Sequence, residues 1–137
     1  NNRLDDKNRI RIPAKFKAEL GADYKLAFAP GNCIYVLPQN EYRKILDGFG
    51  EASFFDAEKQ EAIAAFTGMV YDVTEDNQGR IVIPSELKEY AQIDKDIVIT
   101  GAAAYLRIEA AERFAERTKG VNMADVFARL NAIGKGE

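Results

Sequence analysis

Polar and apolar residues alternate with period two at Arg9-Ile10-Arg11-Ile12, which sends Ile10 and Ile12 to one face and both arginines to the other. This predicts a half-buried strand with its charges outward. A polar turn, Asp5-Asp6-Lys7-Asn8, precedes it, and Pro13 follows, where the fixed φ of proline suits the first position of a helix. The helix predicted there runs from Ala14 to Leu20 and ends at Gly21. Two more strands, Tyr24 to Phe28 and Cys33 to Leu37, flank Pro30-Gly31-Asn32. Pro38-Gln39-Asn40-Glu41 then opens a second helix that reaches about Leu46.

The same order of patterns returns 71 residues later, with Asp76-Asn77-Gln78-Gly79-Arg80-Ile81-Val82-Ile83-Pro84 lying over Asp5 to Pro13. Identities fall at Asp5/Asp76, Arg9/Arg80, Ile10/Ile81, Ile12/Ile83 and Pro13/Pro84, and Lys17/Lys88 extends them. Chance explains this poorly. Asp5 and Asp76 suit turns pinned by side-chain hydrogen bonds or an ion pair, and Gly79 supplies a left-handed backbone that Asn8 also tolerates. Downstream, Ser85 to Ala91 repeats the first helix, Ile97 to Thr100 and Tyr105 to Ile108 repeat the strands, and Glu109 to Arg117 repeats the second helix. Met69 to Thr74 reads as a strand leading into this copy, whose counterpart in the first copy would begin before Asn1.

The organisation read from these patterns is a first motif with its helix at 1–48, a connector at 49–66, a second motif with its helix at 67–118 and a C-terminal helix within 119–137. The connector helix starts near Asp56. Its Phe54, Phe55, Ile63 and Phe66 are expected to serve core packing, with a partner-binding patch as the alternative. The C-terminal helix, Met123 to Ile133, is capped by Asn122 and ended by Gly134, and its stripe of Val126, Leu130 and Ile133 carries the same two readings.

The doubled D-x-x-x-R-I-x-I-P string resembles the MraZ family, whose members carry two AbrB/SpoVT-type motifs of the form D-x-x-G-R-x-x-I-P, and the match covers about residues 1 to 118. The sequence departs at Asn8, where the family usually has Gly. That resemblance implies an α+β fold, a β-rich barrel of two interleaved hairpin units with short flanking helices. It further implies a ring-shaped homo-oligomer that binds repeated operator boxes upstream of the division and cell-wall gene cluster and represses transcription.

Composition narrows the chemistry. The chain has no His and a single Cys, Cys33, which removes the common zinc ligands and any Ser-His or Cys-His nucleophile pair. One thiol cannot form an intrachain disulfide, so the reducing cytosol is the expected location, and the DNA binding that the resemblance implies would place the chain at the nucleoid there. Catalytic residues, cofactor, metal, membrane and small-molecule substrate are all expected to be absent, and an enzyme built on Asp5, Asp6 or Asp76 lacks a nucleophile and a cofactor loop. Cys33, in an apolar strand, reads as a buried structural thiol.

A net charge of −3 offers no global attraction to nucleic acid, so contact with double-stranded DNA must be local. Arg3, Lys7, Arg9, Arg11 and Lys15 gather around the first turn and are the expected DNA-binding residues. Arg80 is divided between a DNA contact and stabilising its turn with Asp76. Residues 1–20 carry six positive charges against three negative, whereas 72–91 carry two positive against five negative. The first copy is therefore expected to hold the DNA and the second to complete the fold. An AbrB-like antitoxin, a protein-interaction module, is the competing function; such chains usually have one motif and an extended tail.

Overall fold

The two Asp-x-x-x-Arg turns close in the same way. In the computed structural model, which describes residues 2–50 and 54–134, Asp5 N–H donates to the Arg9 carbonyl at 3.1 Å and Asp76 N–H to the Arg80 carbonyl at 2.9 Å. Asn8 and Gly79 hold φ of 59° and 75°, the left-handed region expected of both. Residue 1, connector positions 51–53 and the last three positions of the C-terminal segment, 135–137, lie outside the described residues.

The first repeat runs β1 (Asn2–Arg3), β2 (Arg9–Arg11), α1 (Ala14–Leu20), β3 (Tyr24–Ala29), β4 (Cys33–Pro38) and α2 (Gln39–Phe49). After the connector helix α3 (Ala57–Gly68) the order returns as β5 (Tyr71–Asp72), β6 (Arg80–Val82), α4 (Ser85–Tyr90), β7 (Asp96–Ala102), β8 (Tyr105–Ala110) and α5 (Ala111–Thr118). Helix α6 (Met123–Gly134) ends the described chain. Asp56 caps α3 by accepting from Lys59 N–H at 3.1 Å, and Asn122 accepts from Ala124 N–H at 2.9 Å before α6.

The repeats are interleaved. Strand β1 pairs with β7 of the second repeat and β5 pairs with β3 of the first, so each leading strand lies against the other repeat's hairpin. Strands β2 and β6 form a separate antiparallel ribbon with Ile10 opposite Ile81. Exchanging the repeats maps this register onto itself, and the β4–β8 pair, with Tyr35 opposite Arg107, does the same. A pseudo-twofold axis therefore passes through both pairs. On the inner side, Ile10, Ile12, Ile81 and Ile83 bury against Leu26, Ile34 and Ile108, each side chain contributing about 1.5–3 kcal/mol of apolar burial. The outward arginines and inward isoleucines follow the predicted alternation.

The α+β class and the swapped hairpins hold, but the strands do not close into a barrel. The main sheet is open, ordered β1-β7-β8-β4-β3-β5, because two-residue edge strands each pair on one side before the chain departs into the ribbon. Four local expectations also change. Pro13 and Pro84 are helix caps with ψ of 139° and 145° instead of first helical residues, since extended backbone carries the chain out of the ribbon. Glu109 belongs to β8, opposite Val98, and not to the helix; burial of its side chain against Arg117 and Arg107 continues the strand by two residues. Phe54 and Phe55 are 81% and 90% exposed, so the core does not receive them, although Phe66 meets Phe49 edge to face at 5.8 Å. The α6 stripe behaves likewise, with Leu130 and Ile133 exposed. Among the described residues no sheet packs against its face.

Candidate nucleic-acid interface

Sequence places Asp5 four residues before Arg9, and the turn folds so that one carboxylate serves both the backbone and the arginine. Asp5 Oδ1 accepts from the N–H groups of Lys7 and Arg9, each at 2.9 Å, while Oδ2 accepts from Arg9 Nε at 2.8 Å. Asp76 repeats this with Gln78, Arg80 and Arg80 Nε at the same distances. The ribbon then brings the two units together: Arg9 Nη1 lies 3.9 Å from Asp76 Oδ2, and Arg80 Nη1 lies 3.9 Å from Asp5 Oδ2. Two arginines and two aspartates form one balanced group across the pseudo-axis. Because Nε is the pinned nitrogen, each guanidinium is oriented while its outer edge stays accessible, Arg9 and Arg80 being 24% and 27% exposed.

The remaining basic residues supply the excess charge. Arg11 reaches across the ribbon, where Nε donates to the Gln78 carbonyl at 2.8 Å. Arg3, Arg9, Arg11 and Arg80 all line one shallow depression of about 370 Å³ with Asp5 and Gln78. Arg3 is otherwise held only loosely, 3.7 Å from Asp96. Lys7 and Lys15 are exposed but stand outside this depression, Lys7 on the turn and Lys15 in α1 over the Phe16 ring. Of the five basic residues named from the first repeat, three meet on this surface, and Arg80 joins them.

Two residues of the site were not singled out from sequence. Gln78 anchors Arg11 through its backbone, and no side-chain pattern signals a carbonyl acceptor. Lys88 Nζ donates to Asn8 Oδ1 at 3.0 Å, tying the second repeat's helix to the first repeat's turn; the Lys17/Lys88 identity was the available hint. Its counterpart Lys17 pairs with Glu75, which also accepts from Tyr24 Oη at 2.6 Å. Cys33 is buried, and burial holds its thiol above the usual range.

The turn carboxylates carry a pH signature. The Arg9 backbone N–H, more than any other group, holds Asp5 below its ordinary value of 3.8, and the Arg80 N–H does so for Asp76. A depressed carboxylate stabilises the fold fully above 3.8 and loses that effect only as pH falls through the lower folded value. Carbon-detected NMR titration of the two carboxyls should show midpoints below 3.8. Midpoints at or above it would contradict the saturated turn geometry.

Among the described residues no cluster of metal-ligating side chains occurs, and no helix is long and apolar enough to cross a membrane. Comparison with known proteins agrees with the doubled motif. A family model described as "MraZ protein", whose description also likens it to antitoxins, matches residues 1–63 and again 66–129. The chain is similar to the "Transcriptional regulator MraZ" of Clostridium tetani (strain Massachusetts / E88), 34% identical over 98% of this chain and 95% of the relative. The protein of the same name from Salinispora tropica is 34% identical over 93% of this chain and 89% of that relative. The tandem interleaved motif and these matches over nearly the whole length place the chain in the MraZ family.

Proposed function

We propose that this MraZ-family transcriptional regulator grips duplex DNA through the β2–β6 ribbon and represses transcription at repeated operator boxes as a homo-oligomeric ring. One observation carries the proposal: Arg3, Arg9, Arg11 and Arg80 converge on a single face while Asp5 and Asp76 are already engaged by backbone N–H groups and the Nε atoms of Arg9 and Arg80. Pre-oriented guanidiniums match phosphate oxygens and guanine edges. In this reading Lys7 and Lys15 flank the contact and add charge, the two motifs act as one unit, and the work is done at the nucleoid in the cytoplasm. No catalytic step, cofactor or small-molecule substrate belongs to it.

Assembly is supported by α6, whose Met123, Phe127, Leu130 and Ile133 are all more than half exposed. Such a stripe favours contact between subunits, and several subunits on linked boxes raise effective concentration. The antitoxin-like reading draws on this same face, with a toxin as its occupant.

A salt titration of operator binding, with the preparation sedimented at micromolar concentration, tests both parts. Counterion release gives a slope of roughly −0.9 per neutralised phosphate, so four arginines predict a slope steeper than about −3 per bound chain. The protein should sediment as an oligomer. Binding insensitive to salt would remove the phosphate contacts, and a stable monomer that binds one box tightly would remove the ring.

A further inference from the structure

A second cluster of arginines lies away from the ribbon, at the corner between β8 and α5. Glu109 is fully buried there, and Arg117 engages both its oxygens, Nη2 to Oε1 at 2.5 Å and Nε to Oε2 at 3.2 Å. Arg107 approaches the same carboxylate only at 3.7 Å, and its Nε is buried without a hydrogen-bond partner among the described residues. Arg113 Nη2 donates to Gln92 Oε1 at 2.7 Å, while its Nε is likewise buried and unpaired. Buried donors of this kind are rare and call for an acceptor.

The pseudo-symmetry shows that the fold itself does not require this cluster. At the equivalent corner of the first repeat, Leu37 stands in the place of Glu109 and Ile45 in that of Arg117. An apolar pair builds that strand-to-helix corner. Since a buried ion pair is often no more stabilising than apolar residues of similar volume, stability alone does not account for the charges. Arg107, Arg113 and Arg117 also line a cleft of about 660 Å³ together with Gly31 and Gln92, within the size range of small-molecule sites.

We propose that this cleft binds a small molecule carrying one phosphate group, held by Arg107 and Arg113. The charge arrangement favours that class. Arg117 engages both oxygens of Glu109, which leaves Arg107 and Arg113 without a close carboxylate partner of their own, and planar guanidiniums match phosphate oxygens. Glu112 and Glu116 are exposed and line the same cleft. Their like charge opposes a long polyanion such as duplex DNA and admits a ligand with a single compact anionic group. The cleft shares no lining residue with the depression on the ribbon, so this site stands or falls separately from the DNA contact.

The test uses the full chain, with inorganic phosphate as probe, followed by calorimetry at constant ionic strength. Saturable binding of one phosphate per chain is expected, weakened about tenfold or more by Arg107→Gln and by Arg113→Gln, the usual scale for a lost charge-assisted hydrogen bond. Melting curves without phosphate separate folding from binding: Arg113→Gln should melt close to the parent, and Arg107→Gln somewhat lower, since its Nε lies 3.7 Å from the buried Glu109. Four results would overturn the proposal: no saturable binding, equal binding in the variants, equal affinity for acetate, or loss of binding in Arg9→Ala instead, which would place the phosphate on the ribbon. A shift of Arg107→Gln to a smaller species in sedimentation, with no phosphate bound by the parent, would assign the cleft to a neighbouring copy and overturn it too.

Discussion

Replacing Arg9 and Arg11 together by alanine is expected to lower operator affinity by at least about a hundredfold, since charged hydrogen bonds contribute roughly 1.5–3 kcal/mol each. The fold should survive. Both side chains lie on the outward face of the ribbon, and the inward Ile10 that anchors β2 is untouched. Arg80→Ala is the informative partner. From sequence it was expected mainly to cost stability, but Arg80 has the same Asp contacts and nearly the same exposure as Arg9. Any inequality must then come from the neighbours, where Val82 replaces Arg11 and Gln78 replaces Lys7. Phosphate is drawn to local positive potential, so the single Arg80 change should cost clearly less affinity than the Arg9/Arg11 pair. Operator affinity and melting temperature measured for both variants decide it. Equal losses of affinity, with melting unchanged, would mean that the two repeats read DNA alike and that local charge does not rank them.

The second large effect concerns the interleaving. A fragment spanning 1–66 is expected to form no stable monomer at micromolar concentration, whereas the whole chain melts in one cooperative transition. In the intact chain β1 takes its backbone partners from β7 and β2 takes its own from β6, while Leu4 N–H donates to the Lys95 carbonyl at 2.8 Å. Cutting the chain leaves these groups unpaired and exposes Ile10, Ile12 and Ile34. Unpaired strand edges and bare apolar surface drive either unfolding or pairing with a second copy. Circular dichroism with sedimentation separates the outcomes. A monomeric fragment with its own cooperative melt would show that the swap is dispensable.

How far the site could be read from the chain follows from the range of each interaction. The Asp5 and Asp76 turns, the left-handed Asn8 and Gly79 and the outward arginines were legible because each depends on residues within about four positions. The repeat itself exposed Arg9 and Arg80 as equivalents. Charge counting suggested that they would differ, and it missed the cross-axis approach of each arginine to the other repeat's aspartate because that approach exists only once β2 meets β6. Glu109 was assigned to a helix since nothing nearby in sequence shows that Arg107 and Arg117 enclose it. Phe54 and Phe55 were expected in the core, but apolar character does not say whether a surface is there to receive a side chain.

By itself, then, the sequence determined the local geometry: turn, strand and helix follow from hydrogen bonds and periodicity spanning a few residues, and two copies of one string imply two copies of one unit. Which strand pairs with which, that the sheet stays open, and that four arginines from both repeats share one face were decided only in the tertiary structure. Their physical cause is non-local. The free backbone edges of each short leading strand find their partners on the opposite hairpin, and the inward isoleucines of both ribbon strands are buried only when the repeats interlock.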